Sequence, residues 1–159
     1  MLIHKAYRLK LYPNVTQEKR LLENADAVRF VWNYFLALKR DVYFMGGKSP
    51  SYHSCSAALT DLKRQDGMEW LHNRLAQPMQ QTLRDLEGAY RSFFQKSARF
   101  PRFKSKKDAY RSFRIHTTWK LRGGKLQLER DIIVRTRDAL PPMKAKCTSV
   151  TISHNACKT

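Results

Sequence analysis

Hydrophobic and polar positions alternate near the start of the chain. The apolar residues that would share one face are Ile3, Tyr7, Leu9 and Leu11, and the polar ones on the other face are His4, Arg8 and Lys10. This period of two is typical of a half-buried β-strand, and Pro13 ends it. The sequence therefore predicts a strand over residues 3–12.

The hydrophobic period becomes helical after Pro13. Asn14, followed three residues later by Gln17, resembles a capping box, which marks a helix start. Apolar residues then recur at helical spacing, namely Leu21, Leu22, Ala25, Val28, Val31, Trp32, Phe35 and Leu36. This pattern predicts one or two helices over about 15–44.

Two more helices are expected before residue 98. The glycines and proline of residues 46–50 interrupt the helical pattern, and a shorter helical piece follows over about 54–64. Pro78 fits the first turn of a longer helix. Its apolar positions step by four, three, four and three residues to about residue 95, and they are Met79, Leu83, Leu86, Tyr90 and Phe93.

Short strands are predicted after residue 100. Residues 119–122 and 125–128 alternate and flank Gly123-Gly124, which indicates a hairpin. Residues 132–134 and 150–152 are further strand candidates, and the prolines at 141–142 require a loop between them. Because one strand is unstable alone, we expect an α+β fold in which helices are inserted after the first strand of a small β-barrel or sheet. The expected divisions are 1–13, 14–98 and 99–159.

The net charge of the chain indicates the kind of partner that it binds. The chain has 31 Lys and Arg against 13 Asp and Glu, a net charge of +18. Residues 99–159 hold 16 of the cations and only 4 of the acids. Such an excess favours a polyanionic partner over a small acidic substrate, whereas 11% aromatic residues favour a folded chain over a disordered basic tail.

The most informative stretch is residues 99–114, called the basic segment below. Its seven cations are Arg99, Arg102, Lys104, Lys106, Lys107, Arg111 and Arg114, and its four aromatic residues are Phe100, Phe103, Tyr110 and Phe113. Cations neutralise phosphates, and rings can stack on unpaired bases. The pattern favours nucleic-acid binding, although the rings fit a core and the cations a solvated linker as well.

A second interpretation places a helix-turn-helix in the first helical stretch. Residues 29–40 would then present Arg29, Lys39 and Arg40 to a DNA groove, with residues 24–27 as the turn. The aromatic residues of this stretch also fit a core, and Asn24-Ala25-Asp26-Ala27 is a weak break.

Neither catalytic nor metal-binding residues are predicted. The acids stand at no spacing typical of a two-metal site, the five histidines are scattered, and neither glycine pair fits a phosphate loop. His53 and Cys55 lack an orienting acid. The cysteines, Cys55, Cys147 and Cys157, form no CxxC pair. We expect no cofactor, no membrane partner, and a soluble protein of the reducing cytoplasm, since no apolar stretch is long enough for a signal or a span.

Six motifs in order resemble one family. They are KAYRLKLYPN, RFVWNYFLA, EWL at 69–71, QQTLRDLEGAYRSFF at 80–94, FPRFKSKK at 100–107 and SVTIS at 149–153. Together they resemble the N-terminal part of TnpB-type proteins, the transposon-encoded RNA-guided DNA endonucleases of the OrfB-type transposase family. The resemblance implies a wedge-like barrel with an inserted helical recognition module, which hold a guide RNA and a DNA duplex with a transposon-adjacent motif.

The resemblance also implies which residues contact the motif duplex, and it reveals a difference from the family in the nuclease domain. Tyr52 and Gln80 occupy the positions that face the motif duplex in this family, and Ala76 stands where some relatives have lysine. The RuvC-like nuclease domain and zinc ribbon of the family would follow residue 153, so we expect no cleavage by this chain alone. The possible further partner is a nuclease domain that is encoded separately or has been lost.

Three functional hypotheses follow. The first is a fragment that binds guide RNA and duplex DNA and is associated with DNA transposition. The second is a stand-alone helix-turn-helix DNA-binding regulator. The third is a nuclease with a site that the sequence pattern does not reveal.

Overall fold

The computed structural model of the protein describes residues 3–108, 110–129, 131–139 and 147–155. Three α-helices lie between the first strand and the others along the chain: α1 Val15–Phe44, α2 Tyr52–Leu62 and α3 Ala76–Phe94. A short 3₁₀ helix, Glu69–Asn73, precedes α3. The strands are β1 Leu11–Tyr12, β2 Tyr110–Ile115, β3 Trp119–Arg122, β4 Lys125–Leu128, β5 Ile133–Thr136 and β6 Val150–Asn155.

The strands form two antiparallel sheets. One has the order β1-β5-β4-β3, and the other pairs β2 with β6. Leu11 lies opposite Thr136, so the start of the chain joins a sheet whose other strands come after the helices. The α+β class with inserted helices is confirmed, and the strands of the described residues form no closed barrel. The loop predicted at residues 141–142 and Cys157 lie outside the described residues.

The start of α1 follows the predicted capping box. Asn14 Oδ1 accepts a hydrogen bond of 2.8 Å from Gln17 N, and Asn14 N donates one of 2.9 Å to Gln17 Oε1. The Gln17 amide also donates to Ile133 O at 2.6 Å, which joins the helix start to β5. The side chains of Asn14 and Gln17 thus satisfy two N–H groups at the helix start, and Gln17 also joins α1 to the sheet.

Helix α1 contributes to two hydrophobic cores. Leu21, Ala25 and Val28 pack with the sheet residues in one core, here called the sheet core. Further along the same helix, buried side chains pack with α2 and α3 in a second, helical core. The α1 members of the helical core are Ala27, Val31, Phe35 and Leu36. A single helix therefore connects the two halves of the fold.

Two predicted features of the first 30 residues are wrong. The strand expected over residues 3–12 is limited to Leu11–Tyr12. Ile3 is 63% exposed, since residues 3–10 pair with no other strand in the described part of the chain. The turn expected at residues 24–27 lies inside α1. Asn24 is buried there: its side chain donates to Arg20 O within the helix and accepts from Leu75 N, both at 2.8 Å.

Strand β2 was not predicted from the sequence. It lies inside the basic segment, where Phe113 and Ile115 are 3% and 0% exposed in the sheet core. Their alternation with the polar residues Ser112 and Arg114 was the available signal. The many cations around Phe113 and Ile115 made this alternation hard to recognise in the sequence. The GlyGly hairpin of β3 and β4 is confirmed, and Gly123 and Gly124 adopt φ of +55° and +68°, which favours glycine.

Candidate nucleic-acid interface

The basic segment begins as an extended stretch whose backbone is fastened to α1. Trp32 Nε1 donates a hydrogen bond of 2.8 Å to Arg102 O. The Asn33 amide makes two more with Lys104: Nδ2 donates to its carbonyl oxygen, and Oδ1 accepts from its N–H, each at 2.8 Å. Side chains of two successive helix residues therefore fix the course of residues 102–104.

Four predicted cations of this segment lack a charged or aromatic partner among the described residues. The side chains that form no ion pair or cation–π contact there belong to Arg99, Arg102, Lys106 and Lys107. All four residues are exposed. Ser105 and Asp108 hold the turn around the two lysines, since Ser105 N donates to Asp108 Oδ2 at 2.8 Å. The result is a concentrated, accessible positive charge on a fixed backbone.

Lys104 behaves differently from these four residues. Its ammonium lies 4.3 Å from the centroid of the Trp32 ring. Although the residue as a whole is exposed, protein atoms around the ammonium lower its pKa by burial, which the carboxylates of Asp85 and Asp108 oppose. Lys104 therefore has a cation–π contact with α1 in addition to its backbone hydrogen bonds.

Two predicted phosphate contacts are occupied by acids of the protein. Arg111 Nη2 lies 2.6 Å from Asp26 Oδ2, and Asp26 also pairs with Arg29 at 3.2 Å. Arg114 Nη2 lies 2.5 Å from Asp85 Oδ1. These arginines join β2 to α1 and α3. A phosphate would have to compete with a carboxylate for each of them.

Tyr52 contacts α3 through Arg84, an arginine that sequence analysis missed and that lies on the same helix as Gln80. Gln80 is exposed on α3, and Arg84 follows it one turn later on the same helix. The Arg84 guanidinium lies 5.0 Å from the centroid of the Tyr52 ring. Glu87, three residues further, accepts from Tyr52 N at 3.0 Å. The signal was the spacing of four residues from Gln80 to Arg84.

The cations of the predicted recognition helix are engaged with the protein itself. Lys39 is 3% exposed, and its ammonium donates to Pro50 O and lies 5.4 Å from the Tyr90 ring centroid. Arg29 pairs with Asp26. The Arg40 guanidinium lies 5.1 Å from the centroid of the Phe103 ring. In this fold α1 supports the basic segment, and the buried Lys39 is withdrawn from any groove.

Possible metal ligands and the pair His53 and Cys55 are the remaining candidates for a site. Among them, no group of three His, Cys, Asp or Glu residues is placed to hold a metal ion. Burial raises the pKa of the Cys55 thiol above its usual value, and Glu87 adds to this while Lys39 opposes it. Cys55 is 1% exposed, which suits a core residue and not a nucleophile paired with His53.

None of the helices in the described ranges combines the length and the apolar character that crossing a bilayer demands.

Comparison with known proteins gives related sequences. Residues 1–48 match the helix-turn-helix domain of the OrfB/IS605 type. The chain is 38% identical over 109 residues to InsQ of Escherichia coli (strain K12), assigned as an RNA-guided DNA endonuclease, covering 67% of this chain and 27% of that protein. A protein of Streptomyces pristinaespiralis with the same assignment is 31% identical over 159 residues, covering 96% of this chain and 39% of that protein.

These matches agree with the motif resemblance and refine it. The chain spans well under half the length of these two relatives. The matched helix-turn-helix region contains β1 and the uninterrupted α1, so its name describes the family and not a turn within residues 15–44. The relationship supports a nucleic-acid-binding role in a transposon-associated protein. The chain therefore carries the helix-turn-helix domain of the OrfB/IS605 type at its N-terminus, and it is homologous to proteins assigned as RNA-guided DNA endonucleases, the kind of protein that its motifs resemble.

Proposed function

We propose that this chain binds a guide RNA together with a DNA duplex that carries a transposon-adjacent motif, and that residues 1–159 alone do not cleave DNA. The observation that carries the proposal is the fixed backbone of residues 102–104 beside four exposed, unpaired cations. A backbone ordered in advance reduces the entropy lost when phosphates bind. The assignment of both relatives as RNA-guided DNA endonucleases supports these partners.

The proposed division of labour follows the fold. The basic segment contacts phosphates, which supply affinity but no sequence information. Tyr52, Gln80 and Arg84 contact the motif duplex, since an exposed amide and a guanidinium are side chains that hydrogen-bond base edges. We propose that residues 1–13 form the first strand of the sheet unit, residues 14–98 the inserted helical module, and residues 99–159 the basic segment with the remaining strands. We also propose the reducing cytoplasm as its compartment, which is compatible with the free thiols of Cys55 and Cys147.

Charge replacement tests the phosphate contacts. We expect Arg102→Gln, Lys106→Gln and Lys107→Gln together to weaken binding to structured RNA and to duplex DNA. The slope of log K against log salt should flatten by about 0.7 to 0.9 for each phosphate that the protein no longer neutralises. A matched control removes three other exposed cations through Lys48→Gln, Arg64→Gln and Arg91→Gln. Equal slopes in both triple variants would remove the basic segment from the interface.

Competition and cleavage assays distinguish the other hypotheses. A guide-RNA binder should prefer structured RNA to duplex DNA of equal charge at moderate salt, whereas a stand-alone regulator should prefer DNA. The burial of Lys39 and the continuity of α1 speak against the regulator. Incubation of the pure chain with Mg²⁺ and labelled DNA should leave the DNA intact. Cut DNA would contradict the proposal.

A further inference from the structure

The aromatic residues of the basic segment fall into different environments. Phe113 is 3% exposed and belongs to the sheet core. Phe100 packs against the helical core, with its ring centroid 5.1 Å from that of Phe93 and 5.4 Å from that of Tyr90. Phe103 is 48% exposed. Among the described residues it makes no ring–ring contact.

Phe103 is held in place although it is exposed. Its two neighbours, Arg102 and Lys104, are the residues whose backbone atoms bond to Trp32 and Asn33. The Arg40 guanidinium lies 5.1 Å from the centroid of its ring. The position of the ring is therefore set by α1 before any ligand arrives.

The surroundings of Phe103 suit one class of ligand. An unpaired nucleobase offers a flat π-face to a ring, while the phosphate beside it suits the exposed, unpaired guanidinium of Arg102, the residue before Phe103. The bases of an intact duplex are stacked inside the helix, so a duplex would meet the cations without using the ring. A ring that is exposed beside a free cation is therefore suited to single-stranded and not to double-stranded nucleic acid.

We propose that Phe103 is a stacking site for one unpaired base of a single-stranded nucleic acid, with Arg40 against the ring and Arg102 next to it in the chain. This inference rests on the proposed function of the basic segment and deepens it, because it names an unpaired base as the ligand. RNA and DNA both offer an unpaired base to the ring, so each is tested separately.

Phe103→Leu tests the ring while keeping an apolar side chain. The ligands are a uridine-rich single-stranded RNA, the DNA of the same sequence, and a blunt DNA duplex of equal length. We expect Phe103→Leu to weaken binding of the single strands by roughly 5- to 50-fold, within the range found for removal of a stacking ring. Duplex affinity and the salt slope should not change, since no cation is removed.

Two further variants make the result specific. Phe94→Leu removes a ring that is 52% exposed but lies among other rings, 5.9 Å from Tyr43, and it should leave single-strand binding unchanged. Phe103→Tyr keeps the ring and should bind as the wild type does. A base analogue whose fluorescence is quenched by stacking should be quenched by the wild-type protein and not by Phe103→Leu.

The outcomes separate the two proposals. An equal decrease for duplex and single strands, an equal decrease in Phe94→Leu, or no decrease in Phe103→Leu would overturn the stacking site. If the wild-type protein binds none of the three ligands at low salt, the proposed function itself fails. Preference for the RNA over the DNA strand would identify RNA as the source of the base, and the reverse would identify DNA.

Discussion

The side-chain amide of Asn33 pairs with both backbone polar groups of Lys104, through two hydrogen bonds of 2.8 Å. The amide thus acts as a neighbouring β-strand would, and it satisfies a donor and an acceptor that the extended segment would otherwise present to water. Because Asn33 is on α1, the helix determines where the cations of the basic segment lie.

Asn33→Ala should weaken nucleic-acid binding without changing its salt dependence. The cations remain, but the segment must be ordered when phosphates bind, so affinity should fall by about 3- to 10-fold. Removal of the two hydrogen bonds should also lower the free energy of unfolding by about 1–2 kcal/mol. Binding titrations at several salt concentrations and urea unfolding measure the two effects. A flattened salt slope would show that fewer phosphates are neutralised, contrary to this expectation.

Asp26→Asn should strengthen nucleic-acid binding. Asp26 pairs with both Arg29 and Arg111, so neutralising it frees two guanidinium groups for phosphates. We expect tighter binding and a salt slope that is steeper by up to about 0.9 for each additional phosphate that the protein neutralises. Asp61→Asn, which removes an acid from an exposed pair with Arg64, is the control for net charge. Equal increases in affinity in both variants would indicate a general charge effect.

Arg84→Gln should reduce binding of the motif duplex more than binding of single strands. The guanidinium stacks on Tyr52 and is one turn from Gln80, so its removal disturbs the proposed duplex contacts together. We expect duplex affinity to fall by about 5- to 100-fold, typical of an arginine that contacts a base. Arg91→Gln on the same helix is the matched control. A similar decrease for duplex and single strands would assign Arg84 to phosphate binding.

Tyr90→Phe should make the protein less sensitive to alkali. Burial raises the pKa of the Tyr90 phenol from its usual 10.0 to about 12, an effect that Arg40 opposes. The unfolded chain therefore ionises first, and the stability that is complete below pH 10 falls as the pH rises towards 12. The decrease assigned to Tyr90 is about 1–3 kcal/mol and should vanish in Tyr90→Phe.

The same substitution has a second expected outcome at neutral pH. In the described part of the chain the buried Tyr90 hydroxyl has no hydrogen-bond partner. Its removal should therefore leave the free energy of unfolding unchanged or raise it slightly. Chemical unfolding of both proteins at pH 7 and at several alkaline values provides the comparison. A marked destabilisation at pH 7 would reveal a partner for the hydroxyl.

Local patterns predicted the helices well because their evidence lies within a few residues. The capping box at Asn14 and the four-three stepping of α3 depend on neighbours along the chain. The extent of β1 depends instead on β5, about 120 residues away, and alternation alone gave it eight residues too many. Asn24 suggested a turn, but its partner Leu75 allows it to be buried within a helix.

The candidate interface shows the same limit. Composition identified the basic segment, but only contacts across the fold distinguish its free cations from Arg111 and Arg114, which are paired with distant acids. The sequence did not identify Arg84, because its contact with Tyr52 joins two different helices. Likewise, Phe100 and Phe103 have the same context in the sequence, and packing alone separates them.

The uninterrupted course of α1 has a mechanical consequence. Its 30 residues form a rod of about 45 Å that passes through the sheet core and then the helical core. A sharp bend between the two halves would require α1 to break some of its own hydrogen bonds. The distance between the two halves is therefore set by α1. A nucleic acid that contacted both halves would have to adapt its own curvature to this distance.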